Sequence, residues 1–273
     1  MVRYLLSAVI GVMCMGGVRA ADLDEIKERG TLRVAVAALS PFVIKAEDGT
    51  LSGFEIDSTK GLGEHLGVEI EYVEKPFCEL AEAVLSGEAD VIASGYSNMP
   101  ERRRLLDFSL PYHDTEYFVV VTKAKAKKAK TLRGMNRKDV AIGYQHGGVS
   151  GMVAHGEFPG STLKGFSSFT EILDAMEAGE VDGAVLFDPY LDMAKDLDGR
   201  KFTVPHEFAL TRTIEAFATD QNSDALHDAL NEWVIGQDLQ GYWDDLEKKW
   251  FSDEYAIASA PPPYACAAAM PVQ

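Results

Sequence analysis

Alternation between short β-rich runs and helical patterns is the feature of this sequence that most constrains its fold. In the first half the β-rich runs are LRVAVA, VEIEYV, DVIAS and YFVVVTK, separated by stretches of helical periodicity. DVAIGY, STLKGF and GAVLF follow a lysine-rich run, with a predicted helix over 169–178. Such alternation is typical of α/β folds with largely parallel sheets. A chain of 273 residues accommodates two such units.

Both ends of the chain differ in composition from this α/β region. The start has a basic residue at Arg3, an apolar run over 4–15 and small residues before a predicted cut after Ala20. This is the pattern of a cleavable signal peptide, so we expect export to the periplasm. No later segment approaches the roughly 20 apolar residues of a membrane span. The Pro- and Ala-rich residues 254–273 are predicted to be a disordered tail.

The charge balance excludes several classes of partner. The formal net charge is −17, and loss of Arg3 and Arg19 with the leader makes it more negative. Nucleic acid and anionic membranes are therefore poor partners. The basic run over 123–130 is interpreted as a solvated connector. No nucleotide, dinucleotide or zinc-protease motif occurs, and His146 has no second His or Cys at a ligand spacing, so neither cofactor nor metal is predicted.

Two cysteines remain once the leader is removed, Cys78 and Cys266. An exported protein can form disulfides. However, Cys78 lies in a core-like segment and Cys266 in the low-complexity tail, so we expect no structural bridge between them.

The stretch over 95–112, GYSNMPERRRLLDFSLPY, is the best candidate for a binding site. Pro100 suits a first helical residue, so the pattern predicts a short helix with Arg102 in its first turn. Unpaired N–H groups there, the Ser97 hydroxyl and the Arg102 guanidinium could together hold a carboxylate. The alternative is an exposed helix start with solvated arginines.

The chain also resembles a known family over residues 22–253. Five blocks occur in the family's order: LDEIKERGTLRVAV, SPFVIKAEDGTLSGFEID, the stretch over 95–112, VDGAVLFDPY and LQGYWDDLEKKWF. They are similar to the family-3 extracellular solute-binding proteins, the amino-acid receptors of bacterial ABC importers. The resemblance implies a two-domain, type II periplasmic-binding-protein fold with two interdomain crossovers and a ligand cleft between the domains.

The resemblance also implies domain boundaries. Residues 22–121 and 214–253 would form a discontinuous first domain, and residues 122–213 the second. The crossings are expected near Val121 and Thr213, where they would act as a hinge that closes on a ligand.

Residues of the site are implied position by position. Arg102 stands where the family grips an α-carboxylate, and Asp188 where it holds an α-amino group, although Asp188 before Pro189 also fits a helix N-cap. Phe77 corresponds to an aromatic ring against the ligand, or is core only. Gly95 and Ser97 correspond to backbone and hydroxyl contacts, Ser97 being otherwise a turn residue.

Two departures from the family pattern concern the ligand. AALS, residues 37–40, replaces an expected aspartate and ring before Phe42, which is interpreted as core. In QHGGVSG, residues 145–151, Gly148 takes the place of a threonine unless a shift brings Ser150 there. Near Phe42, a helix is predicted to start at Asp57 as N-cap and to run to Leu66, so Glu55 and Asp57 are interpreted as capping, solvated residues.

The sequence thus predicts a non-enzymatic receptor for a small α-amino acid or related carboxylate, monomeric and serving an ABC permease. An exported lyase of the cyclohexadienyl or arogenate dehydratase type is the alternative, because such enzymes resemble the same family. They require a glutamate one helical turn beyond the second-domain aspartate, where this chain has Leu191 and then Asp192. A sensory or accessory binding module is a third possibility.

Overall fold

The computed structural model describes residues 21–128, 131–188, 190–191, 202–204 and 209–251. The predictions for the leader, the C-terminal tail and Asp192 lie outside these residues. In the described part, no helix is long and apolar enough to cross a membrane.

Helices and strands alternate as the sequence pattern predicts. The helices are α1 (Leu23–Arg29), α2 (Phe54–Leu66), α3 (Leu80–Leu85), α4 (Lys123–Lys128), α5 (Leu132–Met135), α6 (Val149–Glu157), α7 (Phe169–Glu177), α8 (Asp224–Asp238) and α9 (Tyr242–Trp250). The strands are β1 (Thr31–Val36), β2 (Ile44–Lys45), β3 (Leu51–Ser52), β4 (Glu69–Glu74), β5 (Val91–Ile92), β6 (Leu106–Phe108), β7 (His113–Thr122), β8 (Ala141–Gln145), β9 (Thr162–Phe166), β10 (Gly183–Phe187), β11 (Phe202–Thr203), β12 (Thr211–Glu215) and β13 (Ala218–Asp220).

Two main sheets organise these elements. Within the described ranges the first has the order β4-β1-β5-β13-β6, and the second has the order β11-β7-β10-β8-β9 with β12 beside β7. Strand β1 is parallel to β4 and β5, and β8 is parallel to β9 and β10, as predicted. The strands next to the connections between the sheets, β7, β12 and β13, pair antiparallel.

The chain passes between the sheets twice. It leaves the first sheet after β6, enters the second at β7, and returns between β12 and β13. Strands β7 and β12 pair with each other from the Tyr117–Thr211 position to the His113–Glu215 position. At their ends the Tyr112 N–H donates to the Glu215 carbonyl at 3.1 Å. The two connections therefore lie side by side, while boundaries at 121/122 and 213/214 stay a prediction.

Helix α2 begins three residues before the predicted N-cap. Gly53 precedes it with φ of +125°, and a Cβ there would collide with the Phe42 backbone. The first helical N–H groups, of Phe54 and Glu55, donate to the carbonyls of Pro41 and Phe42 at 3.1 and 2.9 Å. Because distant backbone carbonyls satisfy these donors, the helix needs no side-chain cap, and the prediction of Asp57 as N-cap was wrong.

Glu55 and Asp57 are both engaged in contacts that the sequence did not predict. Glu55 is fully buried, so its interpretation as a solvated residue was wrong. Asp57 lies in the first turn of α2 and accepts hydrogen bonds from Lys249 Nζ at 2.7 Å and Trp250 Nε1 at 2.8 Å. Asp57 therefore ties α9, near the end of the described chain, to the first sheet's helix layer.

Aromatic packing joins the same elements in the core. Phe54, Tyr112 and Trp243 are stacked with ring centroids 5.0 to 6.1 Å apart. Phe42 is buried, as predicted, with its ring 6.1 Å from that of Phe54. This core supports the loops that lead into the cleft between the sheets.

Candidate functional site

Arg102 lies at the meeting point of the two sheets. The short helix predicted from Pro100 is a 3₁₀ turn over Arg102–Arg104, so it starts two residues later and Arg102 is its first residue. The half-buried guanidinium donates through Nη1 to the Ser97 carbonyl at 2.9 Å and through Nη2 to the Gly147 carbonyl at 3.2 Å. Because Ser97 follows β5 and Gly147 follows β8, this one side chain contacts loops of both sheets.

Two aromatic rings flank the guanidinium. Its central carbon is 3.9 Å from the Tyr96 ring centroid and 5.5 Å from that of Phe77. Cations over aromatic faces at such distances are attracted by the ring quadrupole. The structure thus brings Phe77 to Arg102, and it adds Tyr96, which sequence reasoning missed. These contacts hold the guanidinium between the two loops.

Gly95 fixes the approach of this loop. Its φ is +57°, and a Cβ would lie 2.7 Å from the Phe42 ring. Its N–H donates to Glu55 Oε1 at 2.7 Å, so this donor is used inside the protein. The Tyr112 hydroxyl donates to the same oxygen at 2.8 Å. Burial raises the pKa of Glu55 to about 7, and these hydrogen bonds oppose the shift.

Ser97 joins Arg102 to an acidic residue on β12. Its carbonyl binds Arg102, and its hydroxyl donates to Glu215 Oε1 at 3.1 Å. The Thr213 hydroxyl donates to the same oxygen at 2.9 Å. Glu215 is 1% exposed. Burial raises its pKa to about 7, opposed by the hydroxyls of Thr213, Thr115 and Ser97.

The second sheet supplies the other candidate residues. Asp188 directly follows β10 and is exposed. Gly148 precedes α6 as its N-cap residue, and Ser150 lies in the first turn of that helix. The Ser150 hydroxyl accepts from the Gln145 N–H at 2.9 Å and is fully buried. It therefore braces its own loop, and the choice between Gly148 and Ser150 as a ligand contact stays open.

Gly147 is the point where the loop between β8 and α6 approaches the first sheet. Its φ is +71°, and a Cβ would lie 2.9 Å from Cys78 Cβ. Glycine is needed here both for the backbone conformation and for the close approach. Cys78 is disulfide-bonded. The sequence predicted no structural bridge, so the core-like setting of Cys78 does not keep its thiol free.

The arrangement suits a small molecule that carries opposite charges. It offers a fixed cation at Arg102, flanked by two aromatic rings, and a buried carboxyl group at Glu215, with Ser97 bonded to both. Asp188 follows β10 in the second sheet, and its place in this arrangement stays a prediction. The described part of the chain contains no cluster of His, Cys, Asp or Glu suited to a metal ion. Glu215 could have been noticed from sequence as an acid in an otherwise apolar strand pattern, EAFA; Tyr96 and Gly147 carry no comparable signal.

The family is decided by comparison with known proteins. The model of the bacterial extracellular solute-binding proteins, family 3, matches residues 32–253. The chain belongs to this family. The match spans both sheets and includes every candidate residue named above.

Individual relatives agree with this assignment. The chain is 26% identical over 258 residues to the L-cystine-binding protein TcyJ of Escherichia coli K12, covering 91% of this chain and 95% of that protein. It is 27% identical over 265 residues to the arginine-binding extracellular protein ArtP of Bacillus subtilis, covering 93% and 100%. The crystal structure of an ancestral amino acid-binding protein, a precursor of cyclohexadienyl dehydratase, superposes with a TM-score of 0.75 at 31% identity, covering 84% and 99%.

These neighbours confirm the two-sheet, type II periplasmic-binding-protein fold. Members of the family are extracellular or periplasmic proteins that bind solutes, and several relatives serve as amino-acid receptors of ABC transporters.

Proposed function

We propose that this protein is a periplasmic receptor that binds a small α-amino acid, or a related carboxylate, between its two sheets and delivers it to an ABC permease. The observation that carries the proposal is the position of Arg102. Its guanidinium is held by two aromatic rings at the junction of loops from both sheets.

A bound carboxylate can replace backbone carbonyls as the acceptor for this guanidinium. Charge-assisted, bidentate hydrogen bonds to a carboxylate are stronger than single bonds to a neutral carbonyl. Asp188 at the end of β10 then serves the amino group, with Phe77 as an apolar wall. Ser97, predicted from sequence to hold the carboxylate through its hydroxyl, donates that proton to Glu215, so its oxygen would instead accept from the amino group. Gly95, Gly148 and Ser150 would shape the loops around the ligand.

The proposed action is binding and release without a chemical step, by a monomer that needs no cofactor. The names of the relatives, which include cystine- and arginine-binding proteins, support an amino acid as the ligand class. The relation to a dehydratase precursor makes an exported lyase the second candidate. Leu191, at the position where those enzymes need an acid, is buried and cannot transfer a proton.

A thermal-shift screen of the mature protein tests the proposal. The panel contains the twenty proteinogenic amino acids, L-cystine, opines, polyamines, prephenate and arogenate. A ligand that binds only the native state raises the melting temperature, by an amount that grows with its concentration. We expect a shift with one or more α-amino acids and none with polyamines, which have no carboxylate.

Turnover separates the receptor from the lyase. The purified protein is incubated with prephenate and arogenate, and phenylpyruvate and phenylalanine are measured. We expect no product above the uncatalysed rate. Production that is lost in Asp192→Asn would contradict the receptor proposal and establish the enzyme.

A further inference from the structure

Glu215 is a buried carboxyl group whose neighbours include hydroxyl groups, and it forms no ion pair with any residue that the structure describes. Oε1 accepts from Ser97 and Thr213. Oε2 is buried, and it makes no hydrogen bond of good geometry within the described part of the chain; the same holds for the Thr115 hydroxyl. The Thr115 hydroxyl nonetheless lies close enough to favour the ionised carboxylate. A buried carboxylate of this kind is costly unless a positive charge or a proton comes to it.

The position of Glu215 relative to Arg102 indicates where that positive charge would come from. Ser97 contacts both residues: its carbonyl accepts from Arg102 and its hydroxyl donates to Glu215. A fixed cation and a potential anion thus lie on either side of one residue. The α-carboxylate and α-ammonium groups of an amino acid are likewise separated by a single carbon. A carboxylate at Arg102 would therefore place its own ammonium group beside Ser97.

The hydrogen-bond directions make Ser97 an acceptor for such a group. An ionised carboxylate can only accept, so the Ser97 proton points to Glu215. The Tyr117 hydroxyl also lies within hydrogen-bond reach of the Ser97 side chain. If it occupies one lone pair of the Ser97 oxygen, the other remains for an N–H donor. The ammonium group of a ligand has only donors. Beside Ser97 it would meet the Ser97 oxygen as an acceptor, with the negative charge of Glu215 on the far side of that oxygen.

We infer that Glu215 is a specificity-determining residue of the cleft, which as a carboxylate orients Ser97 and selects ligands that carry an ammonium group beside their carboxylate. This inference rests on the proposed function and deepens it. It predicts that uptake of an ammonium group by the cleft expels a proton from Glu215, because the ligand's charge favours the ionised form.

Other ionisable groups near Glu215 have to be distinguished from it in any pH experiment. Glu55 is close enough to disfavour ionisation of Glu215, and Glu215 in turn raises the pKa values of Tyr112 and Tyr117. His113 pairs with Glu215 across β7 and β12; burial lowers its pKa to about 4, so it is neutral at pH 7. Arg102 is the nearby fixed cation, and it acts on Tyr117.

The experiment is isothermal titration calorimetry of L-arginine, L-cystine and each of the other proteinogenic amino acids. Titrations are run at pH 7 in two buffers with different ionisation enthalpies, which gives the number of protons released per ligand bound. Wild-type protein should release about half a proton at pH 7, because a group whose pKa is about 7 is half protonated there. At pH 8.5 the release should fall close to zero.

Glu215→Gln keeps the size of the side chain and an oxygen for Ser97 and Thr213, but removes the charge. We expect this variant to lose the proton release and to bind the α-amino acid at least tenfold more weakly. Its affinity for the des-amino carboxylate analogue should change less than about threefold. Glu215→Asp restores the charge and should recover part of the ammonium preference. Glu28→Gln, an exposed acid-to-amide change on α1, is the matched control and should behave as wild type.

Each outcome is decisive. Proton release and affinities equal to those of the wild type in Glu215→Gln would overturn the inference while leaving the receptor proposal intact, since the proton would then come from another group. A variant that loses affinity for both ligand types alike would show a structural role only. If no amino acid binds the wild-type protein, the proposed function fails and the inference with it.

Discussion

Replacing Arg102 by alanine is the sharpest test of the site. The side chain donates two hydrogen bonds, one to each sheet's loop, and its central carbon lies 3.9 Å from the Tyr96 ring centroid. In the complex these donors would face a ligand carboxylate. Removing one partner of a desolvated charge pair costs about 2 to 5 kcal/mol, which corresponds to a loss of affinity of roughly 30- to 4,000-fold.

The effect on folding should be much smaller. Arg102 is half-buried, and its two acceptors are neutral backbone carbonyls, one on buried Ser97 and one on exposed Gly147. We expect a loss of about 1 to 2 kcal/mol in the free energy of unfolding, or a few degrees in melting temperature for a chain of this size. We therefore expect Arg102→Ala to lose most of its ligand affinity and only a small part of its folding stability.

Calorimetry with the amino acid found in the thermal screen measures the affinity. Arg103→Ala, which changes an exposed arginine on the same 3₁₀ turn, is the matched control and should bind as wild type. The amide of the same amino acid, which has no carboxylate, should bind both proteins equally weakly. Unchanged affinity in Arg102→Ala would remove this residue from the site, and an equal loss in Arg103→Ala would reduce its role to general electrostatic attraction.

Four further predictions concern the second sheet, the hinge, the helix layer and the core. Asp188→Asn should weaken α-amino ligands much more than their des-amino analogues in calorimetry, because it removes charge but not size; equal losses would mean that Asp188 only starts its helix. Ligand should reduce the radius of gyration in solution X-ray scattering, and an unchanged value would exclude closure of the cleft. Asp57→Ala should lower the free energy of unfolding by about 1 to 3 kcal/mol in urea, since Trp250 and Lys249 lose their acceptor; no change would show that α9 is held without them. Because the pKa of Glu55 is raised to about 7, its contribution to stability is complete below pH 4.5 and is lost as the pH rises through 7, by up to about 3 kcal/mol. Glu55→Gln should therefore flatten this part of the profile of unfolding free energy against pH. An unaltered profile would contradict the assignment.

The parts of the fold that sequence predicts well are those set by local periodicity. The run GAVLF coincides with β10, and the helix predicted over 169–178 is α7, because apolar spacing in each case matches one regular structure. The start of α2 was misplaced since its first N–H groups bind carbonyls of Pro41 and Phe42, and such pairing leaves no trace in local composition.

The candidate site divides in the same way. Arg102 and Ser97 could be named because the stretch over 95–112 has a recognisable pattern, and Phe77 because the chain resembles a known family. The approach of Gly147 to Arg102 depends on a loop 45 residues away. Glu215 reaches Ser97 only because β12 runs antiparallel to β7, back toward the first sheet. Such contacts are products of tertiary packing, and no local rule predicts them.

The pairing of β7 with β12 has a mechanical consequence for the cleft. Two separate linkers would let the two sheets twist and slide relative to each other. Strands β7 and β12 are instead paired antiparallel, and their shared hydrogen bonds resist sliding of one strand along the other. Strands β7 and β12 should therefore bend together as one unit, in the direction perpendicular to the plane of the two-stranded ribbon. The Tyr112 N–H donates to the Glu215 carbonyl at the end of that ladder, so the two strands are still paired where they leave the second sheet. A kink in one strand, such as a proline at Thr213, should then alter the motion of both.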